Sequence, residues 1–332
     1  MKTLMLTKNE VNKLLNMQDA IQSVEQAYRI YAQEMLEQPP IMSIDVPENN
    51  GELDIKFCYS KVDEIISIKS ASGYWDNLKS YNLPTLVATI ILLDGKTGYP
   101  LCIMDGSLIT GFRMGAAGGV SAKILARNNS KKVGVIGAGN QARMQIKAIK
   151  EVMDIEFVKV WAPSLEDMQK YKMDIEQELE LDVKVCETAE EAVGETDIVV
   201  TATPGKSPIV KSDWIKDGMH IIAVGADMEG KQELEPEIFN RSKVFVDSIE
   251  QCLERGETRN AVKLGNITPN DIHAELGEVI LKLKRGRTLD REITIFDTTG
   301  MGIQDNTLAT LLYRKAKECG VGMEIDLLSI AK

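Results

Sequence analysis

The feature that most restricts the fold is an alternation of strand-like and helix-like segments that begins at Lys131. KKVGVIG reads as a strand, Gln141 to Val152 as a helix, FVKVWA as a strand and Leu165 to Leu179 as a helix. VKVCE, DIVVTAT, MHIIAVGAD and KVFVD read as further strands with helical segments between them. Such βα repetition predicts a parallel, doubly wound α/β sheet, because parallel neighbours need a crossover that a helix supplies. The first strand runs into Gly137-Ala138-Gly139-Asn140-Gln141-Ala142, a GxGxxA turn that opens the next helix. That context gives the pattern its meaning: Gly137 allows the tight turn, Gly139 lets a pyrophosphate approach the backbone, and Ala142 lets helix and strand pack closely. The N–H groups of Asn140 and Gln141 would face the phosphates from the positive end of the helix. The reading is a Rossmann-type dinucleotide site. Its cofactor is NAD or NADP, because the second strand ends Trp161-Ala162-Pro163-Ser164. Ala162 stands where an acid would bond the ribose of NAD, no arginine follows for a 2′-phosphate, and Ser164 could bond either form.

The segment before Lys131 is patterned differently. Thr7-Lys8-Asn9-Glu10 reads as a capping box, and a second helix near Asp19 carries Ile21, Val24, Ala27, Tyr28 and Tyr31 on one side, ending at Gln38-Pro39-Pro40. IMSIDV, ELDIKF, EIISIKSA, LVATIILLD and YPLCIMD are short β-rich runs separated by turn residues, which predicts an antiparallel or mixed sheet. From Ser107 the pattern turns helical and small (Gly115, Ala116, Ala117, Gly118, Gly119), as either tight helix packing or direct ligand contact would require. The expected organisation is an α+β domain over residues 1–126 and a dinucleotide-binding domain over 127–305, with the boundary around Ala126 to Ser130. A C-terminal helix of about 306–332 packs back on the first domain.

Charge and composition remove several function classes. A formal net charge of −11 argues against a nucleic-acid partner, though a few local cations can still make a cleft attractive to small anions. Five scattered cysteines without a CxxC pair fit a reducing compartment, and with no long apolar leader in MKTLMLTKNE the expected location is the cytoplasm. Two histidines and no HExxH predict no metal site, and no run of 18 uncharged apolar residues predicts no membrane span.

Ligands of open parallel sheets bind beyond the carboxyl ends of the strands. DIVVTATP presents Thr201 and Thr203 there, and MHIIAVGADMEGKQELEP presents Asp227. An aspartate beside a nicotinamide could take a proton from an ammonium group or hold an iminium nitrogen, although a turn or capping aspartate would occupy the same place. A carboxylate substrate needs cations, and Lys56, Lys69 and Arg113 are the candidates in the first domain. Lys69 stands out because Ile65, Ile66 and Ile68 surround a charge that would otherwise face water.

IKSASGYWDN, LPTLVATIILLDGKTGYPL, LITGFRMGAAGGVSAKILAR, GVIGAGNQA, VVTATP, AVGADMEGKQELEPEI and FDTTGMGIQD, in that order over roughly Leu53 to Asp305, resemble the ornithine cyclodeaminase/mu-crystallin family. The resemblance implies an amino-acid dehydrogenase or imine reductase that moves a hydride between nicotinamide and the α carbon of a small amino or imino acid. It implies catalytic roles for Asp227 and Lys69, and substrate binding by Lys69, Arg113 and Thr299. Cofactor contacts would come from Thr85, Arg113, Asn140, Gln141, Thr201, Val224 and Thr298, and the chain would form a homodimer through the first domain's sheet. Two positions depart from the family pattern. Pro39-Pro40 is followed by Ile41 and Met42 rather than a basic residue, and in the following strand, where cyclodeaminases carry a glutamate, the nearest acids are Glu52 and Asp54, with Lys56 beyond. LDIKFCYS with IKSASGYWDN is more similar to the alanine dehydrogenase and the iminosuccinate reductase/ectoine-utilisation branches, with Lys56 as a replacement cation. An ornithine cyclodeaminase and a non-catalytic, crystallin-like binding protein are the alternatives.

Overall fold

The computed structural model describes residues 2–328. They form two compact units, one joining the chain up to Arg113 with the segment from Met301 onward, the other running Met114–Gly300.

The continuous unit is built on eight parallel strands. Their order is Asp182–Val185, Phe157–Trp161, Lys132–Ile136, Ile198–Thr201, His220–Ala223, Ile293–Asp297, Ser242–Val246, Ile272–Glu275. The chain starts at Lys132–Ile136, moves outward through Phe157–Trp161 to Asp182–Val185, then returns to pair Ile198–Thr201 on the other side of the first strand. This reversal of direction is the switch point at which doubly wound sheets leave a crevice for ligands. Every residue of Ile198–Thr201, His220–Ala223 and Ile293–Asp297 is buried, so these strands are covered on both faces and show no in/out alternation. The sequence reading assigned no strand to Ile272–Glu275 or Ile293–Asp297; both are short runs that periodicity alone does not separate from helix.

Two glycine contacts set how closely the layers approach. A Cβ on Gly134 would lie 2.3 Å from the Ala192 carbonyl oxygen, so the strand and the helix Ala189–Val193 can only meet there without a side chain. The helix Ser107–Leu125 carries Gly115 against the Met144 backbone, where a Cβ would approach the carbonyl oxygen to 2.6 Å. The small-residue stripe therefore packs on the helix Asn140–Val152, and the Gln145 side chain donates 2.7 Å to the Met114 carbonyl beside it. That packing draws the unit boundary back to Arg113/Met114, ahead of the Ala126 to Ser130 segment.

The other unit is a mixed sheet in the order Met323–Ile325, Thr3–Leu6, Pro100–Asp105, Leu86–Asp94, Ile65–Tyr74, Gly51–Ser60, Leu36–Glu37, with Met42–Val46 also on Gly51–Ser60. Thr3–Leu6 pairs parallel with Pro100–Asp105, and the other pairings are antiparallel. The Thr7 capping box forms, and Asn16 caps a helix over Met17–Ala32 whose Met17, Ala20, Ile21, Val24, Ala27 and Tyr28 are buried. Gly302–Cys319 is a helix buried along most of its length, packed on Met17–Ala32 and on the Gly51–Ser60 and Ile65–Tyr74 strands. It corrects the expected helix of about 306–332. Gly320 takes a left-handed φ of 64° and Gly322 a φ of 100°, ending the helix, and Met323–Ile325 continues as a strand against Thr3–Leu6. The last four residues of that expectation lie outside the described residues.

Gly134→Ala is expected to destabilise the protein by ~1–3 kcal/mol, the usual cost of overpacking a rigid contact, because the neighbour it meets is backbone. Urea unfolding followed by circular dichroism checks this; an unchanged midpoint would contradict the packing described for Gly134.

Candidate active site

In the Met114–Gly300 unit, the ends of the first, second and fourth strands of the chain order surround a cleft of about 540 Å³. Gly137, Ala138 and Gly139 form its floor, Ala162, Pro163, Ser164 and Asp167 one wall, and Ala202, Thr203, Pro204, Gly205 and Ile209 the other. Gly137 holds φ at 114°, and a Cβ there would sit 2.6 Å from the Ala202 carbonyl. Gly139 is the opposite case: a Cβ would meet nothing within 4 Å. Gly139 also caps the helix Asn140–Val152 and no side chain caps it, so the first-turn N–H groups of Asn140 and Gln141 are placed to take an anion. Ala142 is fully buried beneath the turn. Open space over Gly139 and an uncapped helix end fit a dinucleotide pyrophosphate. Gly137, Gly139, Asn140, Gln141 and Ser164 are thus the residues able to hold it. The Ser164 hydroxyl accepts from the Asp167 N–H at 3.2 Å, so it caps its own helix as well as lining the cleft.

Buried carboxylates hold the loops behind this cleft. Glu233 accepts from the Thr203 N–H at 2.6 Å and from the Gly225 N–H at 3.0 Å, tying together the loops that follow Ile198–Thr201 and His220–Ala223. Its burial pushes the Glu233 carboxyl up to about 7, with the Thr203 and Gly225 donors pulling the other way. Asp247 accepts from the Thr298 hydroxyl at 2.7 Å, the Thr299 N–H at 3.1 Å and the Gly300 N–H at 2.8 Å, fixing the loop after Ile293–Asp297. Neither acid was among the sequence candidates. Thr201 is buried, and the Val224 N–H donates 3.0 Å to its carbonyl. Asp227 lies in the segment after His220–Ala223, half-exposed, with the Lys231 ammonium donating to it at 2.6 Å. Lys231 is a further residue that was not among the sequence candidates.

The other unit carries a buried charge cluster. The register of Gly51–Ser60 on Ile65–Tyr74 sets Lys56 directly opposite Lys69. Like charges so placed repel. Asp305, on the buried Gly302–Cys319 helix, supplies the compensating charge: its carboxylate is 2.7 Å from the Lys69 ammonium and 3.3 Å from Arg113 Nε. Lys69 also donates to the Thr110 hydroxyl at 3.3 Å. Arg113 Nη1 donates to Gln304 Oε1 at 3.1 Å, and the Gln304 amide donates to the Tyr28 hydroxyl at 2.9 Å. Lys69, Arg113 and Asp305 are 2%, 3% and 1% exposed, so no solvated surface charge is among them. Burial pulls the Lys69 ammonium down to about 7, with Arg113 and Lys56 acting in the same direction and Asp305 against it. Burial alone would raise the Asp305 carboxyl, but Arg113, Lys69 and Lys56 outweigh it and hold it below its ordinary value.

The structure thus brings Lys56, Lys69 and Arg113 together and adds Asp305, which ends the FDTTGMGIQD stretch but was not among the sequence candidates. Thr85 is not part of this group. Lys69 pairs with Ile90, five residues along from Thr85, which is roughly 15 Å at the strand rise. Thr298 and Thr299 are buried in the loop held by Asp247. His220 is a satisfied core histidine between Ser121 and Thr294 hydroxyls, and burial lowers it to about 3. Among the described residues no cluster of histidine, cysteine and acidic side chains could hold a metal ion, and no helix is long and apolar enough to cross a membrane.

Comparison with known proteins places this geometry. The chain is 40% identical to an archaeal alanine dehydrogenase, solved as a dimer with bound NAD, over 99% of this chain and 100% of that one, with a TM-score of 0.93. It is 38% identical to the Thermococcus litoralis Δ(1)-pyrroline-2-carboxylate reductase solved with NADH and L-proline, covering 97% and 100% of the two chains, with a TM-score of 0.93. It is 30% identical to the iminosuccinate reductase of Paracoccus denitrificans solved with NAD⁺, covering 98% and 100%, with a TM-score of 0.92. The model of one family matches residues 1–320, and the chain belongs to that family, the ornithine cyclodeaminase/mu-crystallin family.

Proposed function

We propose that this protein is an NAD(P)-dependent oxidoreductase acting on the carbon–nitrogen bond of small amino or imino acids, as an imine reductase or amino-acid dehydrogenase. The observation that carries the reading is the buried Lys69–Asp305–Arg113 cluster, in a chain whose other unit holds a glycine-floored dinucleotide cleft. Two basic side chains out of bulk water suit a carboxylate, which an arginine fork and a lysine point charge hold in a fixed orientation. The three relatives named above act on, or were solved with, small amino and imino acids, and each carries NAD or NADH.

A dinucleotide held by Gly137, Gly139, Asn140, Gln141 and Ser164 would supply the hydride chemistry needed at the substrate's α carbon. Lys69 and Arg113 hold the substrate carboxylate and so fix the plane of the imine. Asp227, paired with the Lys231 ammonium at 2.6 Å, holds the substrate nitrogen and manages its proton. Thr299 contributes to substrate binding, and Thr85, Thr201, Val224 and Thr298, with Arg113, to the cofactor. Lys56 adds positive charge for a substrate with a second carboxylate. The protein works in the cytoplasm, in keeping with five unpaired cysteines. It acts as a homodimer: Met42, Ile44, Leu86 and Val87 leave large apolar side chains exposed on the strands of the mixed sheet, a surface that pairing of two copies would cover.

The test is a panel of 2-oxo acids with ammonia or methylamine, cyclic imines and iminodicarboxylates, assayed with NADH and NADPH. Turnover of a carboxylate imine supports the reading. Proline and ammonia formed from ornithine without net NADH change would replace it with a cyclodeaminase, and cofactor binding with no turnover would leave a binding protein. Lys69→Ala is expected to lower kcat/KM by ~10–100-fold, the worth of one charged hydrogen bond, while NADH affinity holds; Arg113→Ala should lower kcat/KM similarly and weaken NADH binding as well, and both should lower the melting temperature because Asp305 loses a buried partner; Asp227→Asn should act mainly on kcat. Gly139→Val is expected to weaken NADH binding by at least about tenfold without loss of stability, because its side chain would stand where the pyrophosphate approaches; fluorescence titration and thermal melts separate the two effects. The Lys69 ammonium, lowered to about 7, loses its charge as pH rises through that value. KM for the carboxylate substrate should therefore climb from neutral pH upward, and Lys69→Arg, which stays charged, should flatten the climb. A KM independent of pH between 6 and 9 in the wild type would contradict that role for Lys69.

A further inference from the structure

We propose that Asp167 selects NAD over NADP, taking over the task of the acid that the second strand lacks. This rests on the dinucleotide reading of the cleft and adds its choice of nucleotide. In doubly wound sheets the group facing the adenosine ribose comes from the end of the second strand, where an acid bonds the 2′- and 3′-hydroxyls. Here that strand ends at Trp161 and the expected position is Ala162, buried and unable to bond. The cleft wall continues through Pro163 and Ser164 to Asp167, which stands in the first turn of the helix Leu165–Leu179. Asp167 is the one ionisable side chain among the twelve residues that line the cleft.

A 2′-phosphate adds close to two negative charges and needs cationic or donor groups to replace its water. The arginine beside the glycine turn cannot supply them. Arg143 is committed to Asp174, at 3.0 Å from Nε and 2.8 Å from Nη2, and its Nη1 donates to the Ala138 and Gly139 carbonyls. Its guanidinium also lies over the Tyr171 ring at 5.1 Å from the centroid. The Ser164 hydroxyl already caps the helix by accepting from the Asp167 N–H, so the wall offers a 2′-phosphate a carboxylate and a hydroxyl that has begun to be spent. A ribose with free hydroxyls meets the same carboxylate as a hydrogen-bond acceptor. Glu166, the other acid of this turn, is exposed and does not line the cleft, which makes it a built-in control.

The test is direct binding of NADH and NADPH to the full-length protein, by quenching of tryptophan fluorescence, for the wild type, Asp167→Asn, Asp167→Ser and Glu166→Gln. These measurements need no substrate. The wild type should bind NADH at least about tenfold more tightly than NADPH, the scale set by one misplaced like charge. Both Asp167 variants should narrow that ratio by about tenfold, chiefly by tightening NADPH, with melting temperatures near the wild type's because Ser164 still caps the helix. Glu166→Gln should leave the ratio where it was. A wild type that prefers NADPH, Asp167 variants with an unchanged ratio, or a Glu166→Gln shift as large as theirs would each overturn the assignment. Binding of neither nucleotide would overturn the dinucleotide reading and this inference with it, whereas tight binding of both with no imine turnover would leave the inference standing and remove only the proposed reaction.

Discussion

Two cations out of water are tolerable only beside an anion that shares their burial, and in this protein that anion is Asp305. Isolated, a buried ammonium or guanidinium would cost several kcal/mol and would shed its charge if it could. The Asp305 carboxylate lies 2.7 Å from Lys69 and 3.3 Å from Arg113, and its attraction offsets part of the cost of burying them. The arrangement requires the Gly302–Cys319 helix to run through the interior of its unit, where Asn306 bonds the Cys58 and Ile65 carbonyls and Gln304 reaches Tyr28. The polar start of that helix is therefore turned inward, and its bonds are what fix the cluster.

The other unit uses backbone donors in place of side-chain cations. Gly137, Gly139 and the start of the following helix leave N–H groups facing a cleft whose lining carries no positive side chain. The loops around it are clasped by carboxylates, Glu233 on Thr203 and Gly225, Asp247 on Thr298 to Gly300. Each clasp is a multidentate acceptor on backbone amides, a stiff way to fix two loops. Precise placement of loops matters for hydride transfer, because reacting carbons must be held within a few tenths of an ångström of productive geometry.

Much of this was legible in the sequence where the signal is local. GxGxxA between a strand and a helix identified the glycine turn, the Leu165–Leu179 helix was bounded by its own pattern, and Lys69 betrayed itself as a charge inside an isoleucine run. What was not legible depends on contacts distant in sequence. Asp305 is 236 positions from Lys69 by subtraction of their numbers, and nothing at 305 marks it as a counter-ion. Glu233 looks like one acid among many until its strand sets it under two loop amides. The strands Thr3–Leu6 and Ile293–Asp297 were missed because four or five residues are too few to show a period of their own, and the helix end at Cys319 was overrun because only the backbone reveals that Gly320 and Gly322 turn left-handed.

The division of the chain also sets an order of events during synthesis. Met114–Gly300 is one uninterrupted stretch, so it can collapse on its own core as soon as it leaves the ribosome. The mixed-sheet unit has no such freedom: its inner helix and an edge strand arrive only after residue 301. Until then Lys56, Lys69 and Arg113 are nascent without their counter-charge, a sheet with a vacant centre and three like charges facing one another. The half of the molecule that emerges first is thus the half that is completed last.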